Sequence, residues 1–108
     1  MITVNVKPIS INTCFQGRRF RTKEYDKYEK IVLAQLVSFK VPDPPYRLDL
    51  TVGYSNPLND LDNAIKPFLD CLQKRYGFND RDVYEIHAKK IIVKKKHEFV
   101  EFNLSHIG

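Results

Sequence analysis

The chain has 108 residues, with 18 Lys or Arg against 13 Asp or Glu, a formal net charge of +5 and a sequence pI of about 9.2. That length argues for a single domain, residues 1–108, with one modest core. The only cysteines, Cys14 and Cys71, are far apart and in no C-x-x-C pair, which excludes a disulfide scaffold and favours small buried hydrophobes in a reducing compartment. No apolar run approaches the ~18 residues that span a bilayer, and the N-terminus lacks the pattern of a secretory leader, so a cytoplasmic protein is expected. The basic balance favours an acidic partner.

In chain order, Ile2, Val4 and Val6 alternate with polar residues and predict a strand, which Lys7 and Pro8 end or bend. A basic loop follows, Gln16-Gly17-Arg18-Arg19-Phe20-Arg21. Thr22 is placed to cap a helix over residues 23–38, with Tyr25, Tyr28, Val32 and Leu36 near helical spacing. Pro42-Asp43-Pro44-Pro45 is a stiff connector. Tyr46 to Tyr54 alternates as a strand, and Ser55 to Asn59 turns the chain. A second helix is predicted from Asp62 to Tyr76, with Gly77 as its stop. Val83 to Val93 and Phe99 to Leu104 read as two strands joined as a hairpin through Lys94-Lys95-Lys96-His97-Glu98. The order β-α-β-α-β-β predicts a small α+β domain, a mixed sheet with helices packed on it.

Asp60-Leu61-Asp62-Asn63-Ala64-Ile65-Lys66-Pro67-Phe68-Leu69-Asp70, followed by Asn79-Asp80-Arg81-Asp82, gathers five carboxylates and a lysine within 23 residues of an otherwise basic chain. Carboxylates repel, and a hard divalent cation such as Mg²⁺ is the commonest functional reason to collect them. At about 100° per residue, Ile65, Phe68, Leu69, Leu72 and Tyr76 share a core-facing arc, with Asp62, Lys66 and Asp70 in a bordering stripe. Each acidic residue also has an ordinary explanation. Asp62 fits a helix cap, Asp60 a turn, and Lys66 a partner for Asp62 and Asp70 on a solvated face. Pro67 sits awkwardly inside the predicted helix. The functional alternative is phosphodiester hydrolysis, in which carboxylate-held Mg²⁺ activates water and a nearby lysine stabilises developing charge.

These residues resemble the RusA family of Holliday junction resolvases, crossover junction endodeoxyribonucleases. The family pattern is D-[LI]-D-N-x-x-K-x-x-x-D-x-L, then a short loop, a D-D pair and an apolar strand. Asp60-Leu61-Asp62-Asn63, Lys66, Asp70 and Leu72 stand at that spacing, and the similarity covers roughly residues 58–93. The resemblance implies that Asp60 and Asp62 are metal-binding catalytic carboxylates and Lys66 the catalytic lysine. Asn79-Asp80 aligns with the D-D pair without a gap, which gives Asp80 the role of third metal-binding catalytic carboxylate. A shift by two nominates Asp82 instead and misaligns Glu85 and Lys90. Asp70 is read as a support for Lys66. The resemblance further implies a homodimer, Mg²⁺ with Mn²⁺ as a substitute, and paired symmetric nicks across a four-way DNA junction in recombination and repair, which a two-fold dimer matches.

Arg18, Arg19 and Arg21 around Phe20, with Lys89, Lys90, Lys94, Lys95 and Lys96, are candidate contacts to the DNA backbone. Lys94 to Lys96 also suit a solvated strand edge that discourages pairing. His87, His97 and His106 have no metal-ligand spacing and read as structural or exposed. Three rivals stand beside the nuclease: a non-catalytic structure-selective nucleic-acid-binding protein, a metal-dependent phosphoesterase acting on nucleotides, and an inactive family member.

Overall fold

A computed structural model describes residues 1–17 and 20–108. Its elements are β1 (Ile2–Val4), β2 (Phe15–Gln16), β3 (Phe20–Arg21), α1 (Lys23–Gln35), β4 (Tyr46–Tyr54), α2 (Asp62–Tyr76), β5 (Val83–Ile92) and β6 (Phe99–His106). Four strands form one mixed sheet in the order β1-β6-β4-β5, and β2 pairs with β3 in a separate two-stranded ribbon. That ribbon falls in the segment expected as a plain basic loop. Its pairs are Phe15 with Arg21 and Gln16 with Phe20.

The sheet departs from the expected hairpin. β5 and β6 do not pair with each other; β4 lies between them, parallel to β5 and antiparallel to β6. The reason is burial. Tyr46, Leu48, Leu50, Val52 and Tyr54 are all buried, which makes β4 the central strand, whereas most of β5 is exposed and suits an edge. Residues 93–98 need to cross only two strand spacings, roughly 10 Å, and their start is pinned where the Val93 N–H donates to the Tyr54 carbonyl at 2.7 Å. The parallel β4–β5 pair requires a crossover, and α2 supplies it.

Both helices bury against one sheet face. Tyr25, Tyr28 and Val32 of α1 and Phe68, Leu69 and Leu72 of α2 join Val4, Leu48, Leu50, Val100 and Phe102 in the core. The Phe68 and Phe102 rings meet edge to face at 5.7 Å. Thr22 caps α1 as expected, its hydroxyl accepting from the Tyr25 N–H. The helix ends at Gln35, earlier than the predicted 38, because α2 captures the next residues. Arg75 donates to the Leu36 carbonyl and the Ser38 hydroxyl, and Tyr76 donates to the Val37 carbonyl.

The bounds of α2 agree with the prediction, and Gly77 at φ 76° closes it, its N–H donating to the Gln73 carbonyl. Its buried band is wider than the predicted arc: Ala64, Pro67 and Cys71 are buried, while Ile65 and Tyr76 are half-buried. Pro67 therefore earns its place by filling the core, at the expense of one helical hydrogen bond. Cys14 and Cys71 are free and buried, and burial pushes their thiols up to about 11 and about 12. His87, His97 and His106 are exposed. Among the described residues, no helix is long and apolar enough to cross a membrane.

Candidate active site

The acidic residues gather around α2 in two groups. The first lies at its N-terminus. Leu61 is the capping residue and makes no side-chain cap bond, and Asp62 is the first helical residue rather than the cap. The ordinary explanation of Asp62 as a helix cap is therefore not what the chain does. Its carboxylate still lies in the first turn, where the helix dipole and unpaired N–H groups favour negative charge. Among the described residues, neither Asp60 nor Asp62 has a hydrogen-bonded or ion-paired side-chain partner.

Tyr54, at the end of β4, reports on this pair. Its hydroxyl donates to the Asp60 carbonyl at 3.2 Å. Burial, with the nearby charges of Asp60 and then Asp62, pushes the phenol up to about 12. A cavity of about 160 Å³ opens here, lined by Ser10, Tyr54, Asn59, Asp60 and Asn63 among others. A larger depression of about 510 Å³ lies on the opposite sheet face, bordered by Asp49, Thr51, His87, Lys89 and Glu101, away from this cluster. Of the candidate metal-binding carboxylates, Asp60 lines the smaller cavity and none lines the larger.

The second group is centred on Lys66. Its ammonium meets Asp70 and Asp80, each at 3.0 Å. Those two hydrogen bonds, Asp70 first, raise the lysine above its usual range and keep it charged. Gln73 joins both acids: its amide donates to Asp70 at 3.3 Å and its oxygen accepts from the Asp80 N–H at 2.9 Å. Gln73 escaped the sequence reading, although residues 66, 70 and 73 follow one helical stripe. The return after Gly77 folds Asp80 back along α2. There Asn79 caps a short turn over Asp80–Asp82 by accepting from the Arg81 N–H. Asp82 acts elsewhere. It lies near Tyr46, whose phenol is raised by burial first and then by Asp82 and Asp43. Of the two candidates for the third carboxylate, Asp80 is the one in contact with Lys66.

Asp60, Asp62 and Asp80 are not brought into one tight cluster; among the described residues, no three His, Cys, Asp or Glu side chains form a metal-holding group. Mg²⁺ does not require one. It keeps several waters and is commonly bound through one or two carboxylates plus substrate phosphates. An all-oxygen pair such as Asp60 and Asp62, with no protein cation paired to either among the described residues, fits that donor set.

The basic residues divide. Arg21 is engaged within the chain, with Asp26 at 2.9 Å, Glu29 at 3.0 Å and the Tyr25 ring at 4.1 Å. Lys90 is also engaged, donating to the Pro57 carbonyl at 2.9 Å and the Asn59 carbonyl at 2.7 Å. Lys89 points to the opposite sheet face, and Lys94, Lys95 and Lys96 are exposed beyond β5. Arg18 and Arg19 lie outside the described residues. No protein-family model matches this sequence, and no curated protein matches it.

Proposed function

We propose that the chain is a metal-dependent, structure-selective endodeoxyribonuclease that resolves four-way DNA junctions by paired symmetric nicks in recombination and repair, as its resemblance to the RusA family implies. The observation that carries this reading is the division of labour along α2. At its N-terminus stand two carboxylates that have no side-chain partner among the described residues, and one turn later a lysine is paired with Asp70 and Asp80. On the helix flank Lys66 pairs with Asp70, and across to Asp80, rather than with Asp62.

Asp60 and Asp62 would hold Mg²⁺, or Mn²⁺ in its place, with Asp80 the third carboxylate of the site. When bound, the ion supplies Lewis-acid polarisation of the scissile phosphate and an activated water. The chain's own residues do the rest. Lys66 stays protonated and presents a positive charge to the oxyanion that develops as water adds and the sugar oxygen leaves. Asp70 and Gln73 orient that lysine, and the N-terminal dipole of α2 supports the carboxylate pair. The exposed Lys94, Lys95 and Lys96, with Lys89 and the arginines at 18 and 19, supply the sequence-independent phosphate attraction.

A homodimer accompanies this function, since two symmetric cuts need two sites. It is supported by β5, an edge strand with no partner on its outer side among the described residues, on which Tyr84, Ile86, Ile91 and Ile92 are exposed. The two free thiols suit a reducing, cytoplasmic setting.

The test is incubation with a synthetic four-way junction in Mg²⁺, in chelator, and with Asp62→Asn. Metal-dependent paired nicks that disappear in the variant are the expected result. Tight junction binding without any cut in Mg²⁺ or Mn²⁺ would overturn the nuclease reading in favour of a non-catalytic binding protein.

A further inference from the structure

The turn that carries Asp60 is tied to the sheet at three backbone carbonyls. Lys90, which stands beside Val52 in the β4–β5 register, donates to the Pro57 carbonyl at 2.9 Å and the Asn59 carbonyl at 2.7 Å. Tyr54 donates to the next carbonyl, that of Asp60, at 3.2 Å. The Lys90 ammonium lies 6.0 Å from the centre of the Tyr54 ring, so the two donors form one unit. The turn's own bonds are few: the Leu58 N–H to the Asn56 side chain at 2.9 Å, and the Asn59 N–H and side-chain amide to the Asn56 carbonyl at 3.4 Å and 3.3 Å. Leu58 is 86% exposed, so no apolar packing holds the tip.

A lysine in this setting has a different use from the exposed Lys94, Lys95 and Lys96. An ammonium is a point donor with three protons, and here two of them are committed to backbone carbonyls that have few other restraints. Contact with a DNA phosphate would compete with those bonds. We propose that Lys90 is a positioning residue of the candidate active site: it holds the backbone of residues 57–60, and through it the Asp60 carboxylate, rather than binding DNA. The catalytic consequence rests on the nuclease reading above; the restraint of the turn rests on the hydrogen bonds alone.

The experiment compares the full-length wild type with Lys90→Met, which keeps the apolar stem, and Lys90→Arg, which keeps two or more donors. Junction affinity is measured over a salt series with Ca²⁺ replacing Mg²⁺. Single-turnover cleavage is measured in Mg²⁺, and amide exchange is followed at Leu58 and Asn59. For Lys90→Met the expected results are junction affinity within about two-fold of wild type with an unchanged salt slope, and cleavage of bound junction slowed about 100-fold, as for an ångström-scale misplacement. Faster exchange at Leu58 and Asn59 accompanies both, and Lys90→Arg recovers most of the rate and the protection. Weakened binding with a salt slope lower by about one, normal cleavage once bound, and unchanged exchange would overturn the proposal and make Lys90 a phosphate contact. If the wild type cuts no junction, the nuclease reading fails, and exchange still decides the role of Lys90: unchanged protection at Leu58 and Asn59 in Lys90→Met overturns it.

Discussion

Lys66→Gln separates a catalytic lysine from a structural one. The side chains of Lys66, Asp70 and Asp80 are 52%, 36% and 39% exposed, so solvent screens both ion pairs. Pairs at such exposure contribute about 0.2–1 kcal/mol each, and losing both should cost about 1 kcal/mol in total. For a domain of this size that is a fall in Tm of about 4–8 °C. With a typical stability of about 5–15 kcal/mol, the variant remains folded at 25 °C. Removing a donor that stabilises transition-state charge costs about 2.7–4 kcal/mol, a rate loss of about 10²–10³. The predicted effect on cleavage therefore greatly exceeds the effect on folding. The pH behaviour is a second check. Asp70 and Asp80 raise the lysine above its ordinary 10.5, so its contribution is fully present below that value and is lost only as pH rises through the raised one. The stability difference between wild type and variant should thus stay flat from about pH 6 to about pH 9. Single-turnover junction cleavage and thermal melts in the same buffer measure both quantities. A rate loss under about three-fold, or one that follows the fraction of unfolded protein, would refute the reasoning.

Asp60→Asn and Asp62→Asn should each weaken Mn²⁺ binding at least about ten-fold by calorimetry. Their stability should change by no more than about 1 kcal/mol, because neither carboxylate caps α2. Glu29→Gln tests the clamp between the helices. Burial pushes the Glu29 carboxyl up, but its bonds to Lys74 and Arg21 outweigh that and hold it below the usual 4.5. Its contribution, about 1–2 kcal/mol from charged hydrogen bonds, is present above pH 4.5 and is lost as pH falls through the lowered value. Urea titrations should therefore show a wild-type advantage at neutral pH that shrinks in acid. Phe68→Ala should cost about 3–5 kcal/mol in chemical denaturation, since the ring is fully buried against Phe102.

Some of this architecture is written in short-range pattern. α2 was legible from its apolar spacing and Gly77, α1 from the Thr22 cap, and β4 from strict alternation, because capping, helical periodicity and the strand pleat depend on residues within a few positions of one another. The acidic stripe was legible for the same reason: Asp62, Lys66 and Asp70 share a helix flank whatever the rest of the chain does. The insertion of β4 between β5 and β6 was not, since Val83–Ile92 and Phe99–His106 separated by a short polar stretch satisfy the local pattern of a hairpin equally well. Only the competition for burial, which β4 wins with its five inward apolar residues, places it in the centre. Tertiary structure likewise decided the partners of the charges. Lys66 turned towards Asp80 because the chain after Gly77 folds back along α2, and Lys90 turned to the carbonyls of Pro57 and Asn59 because the parallel crossover brings β5 beside the end of β4. Residue identity and spacing determine what a side chain can donate or accept; which partner it meets depends on contacts between segments distant in sequence, and those exist only once the core has formed.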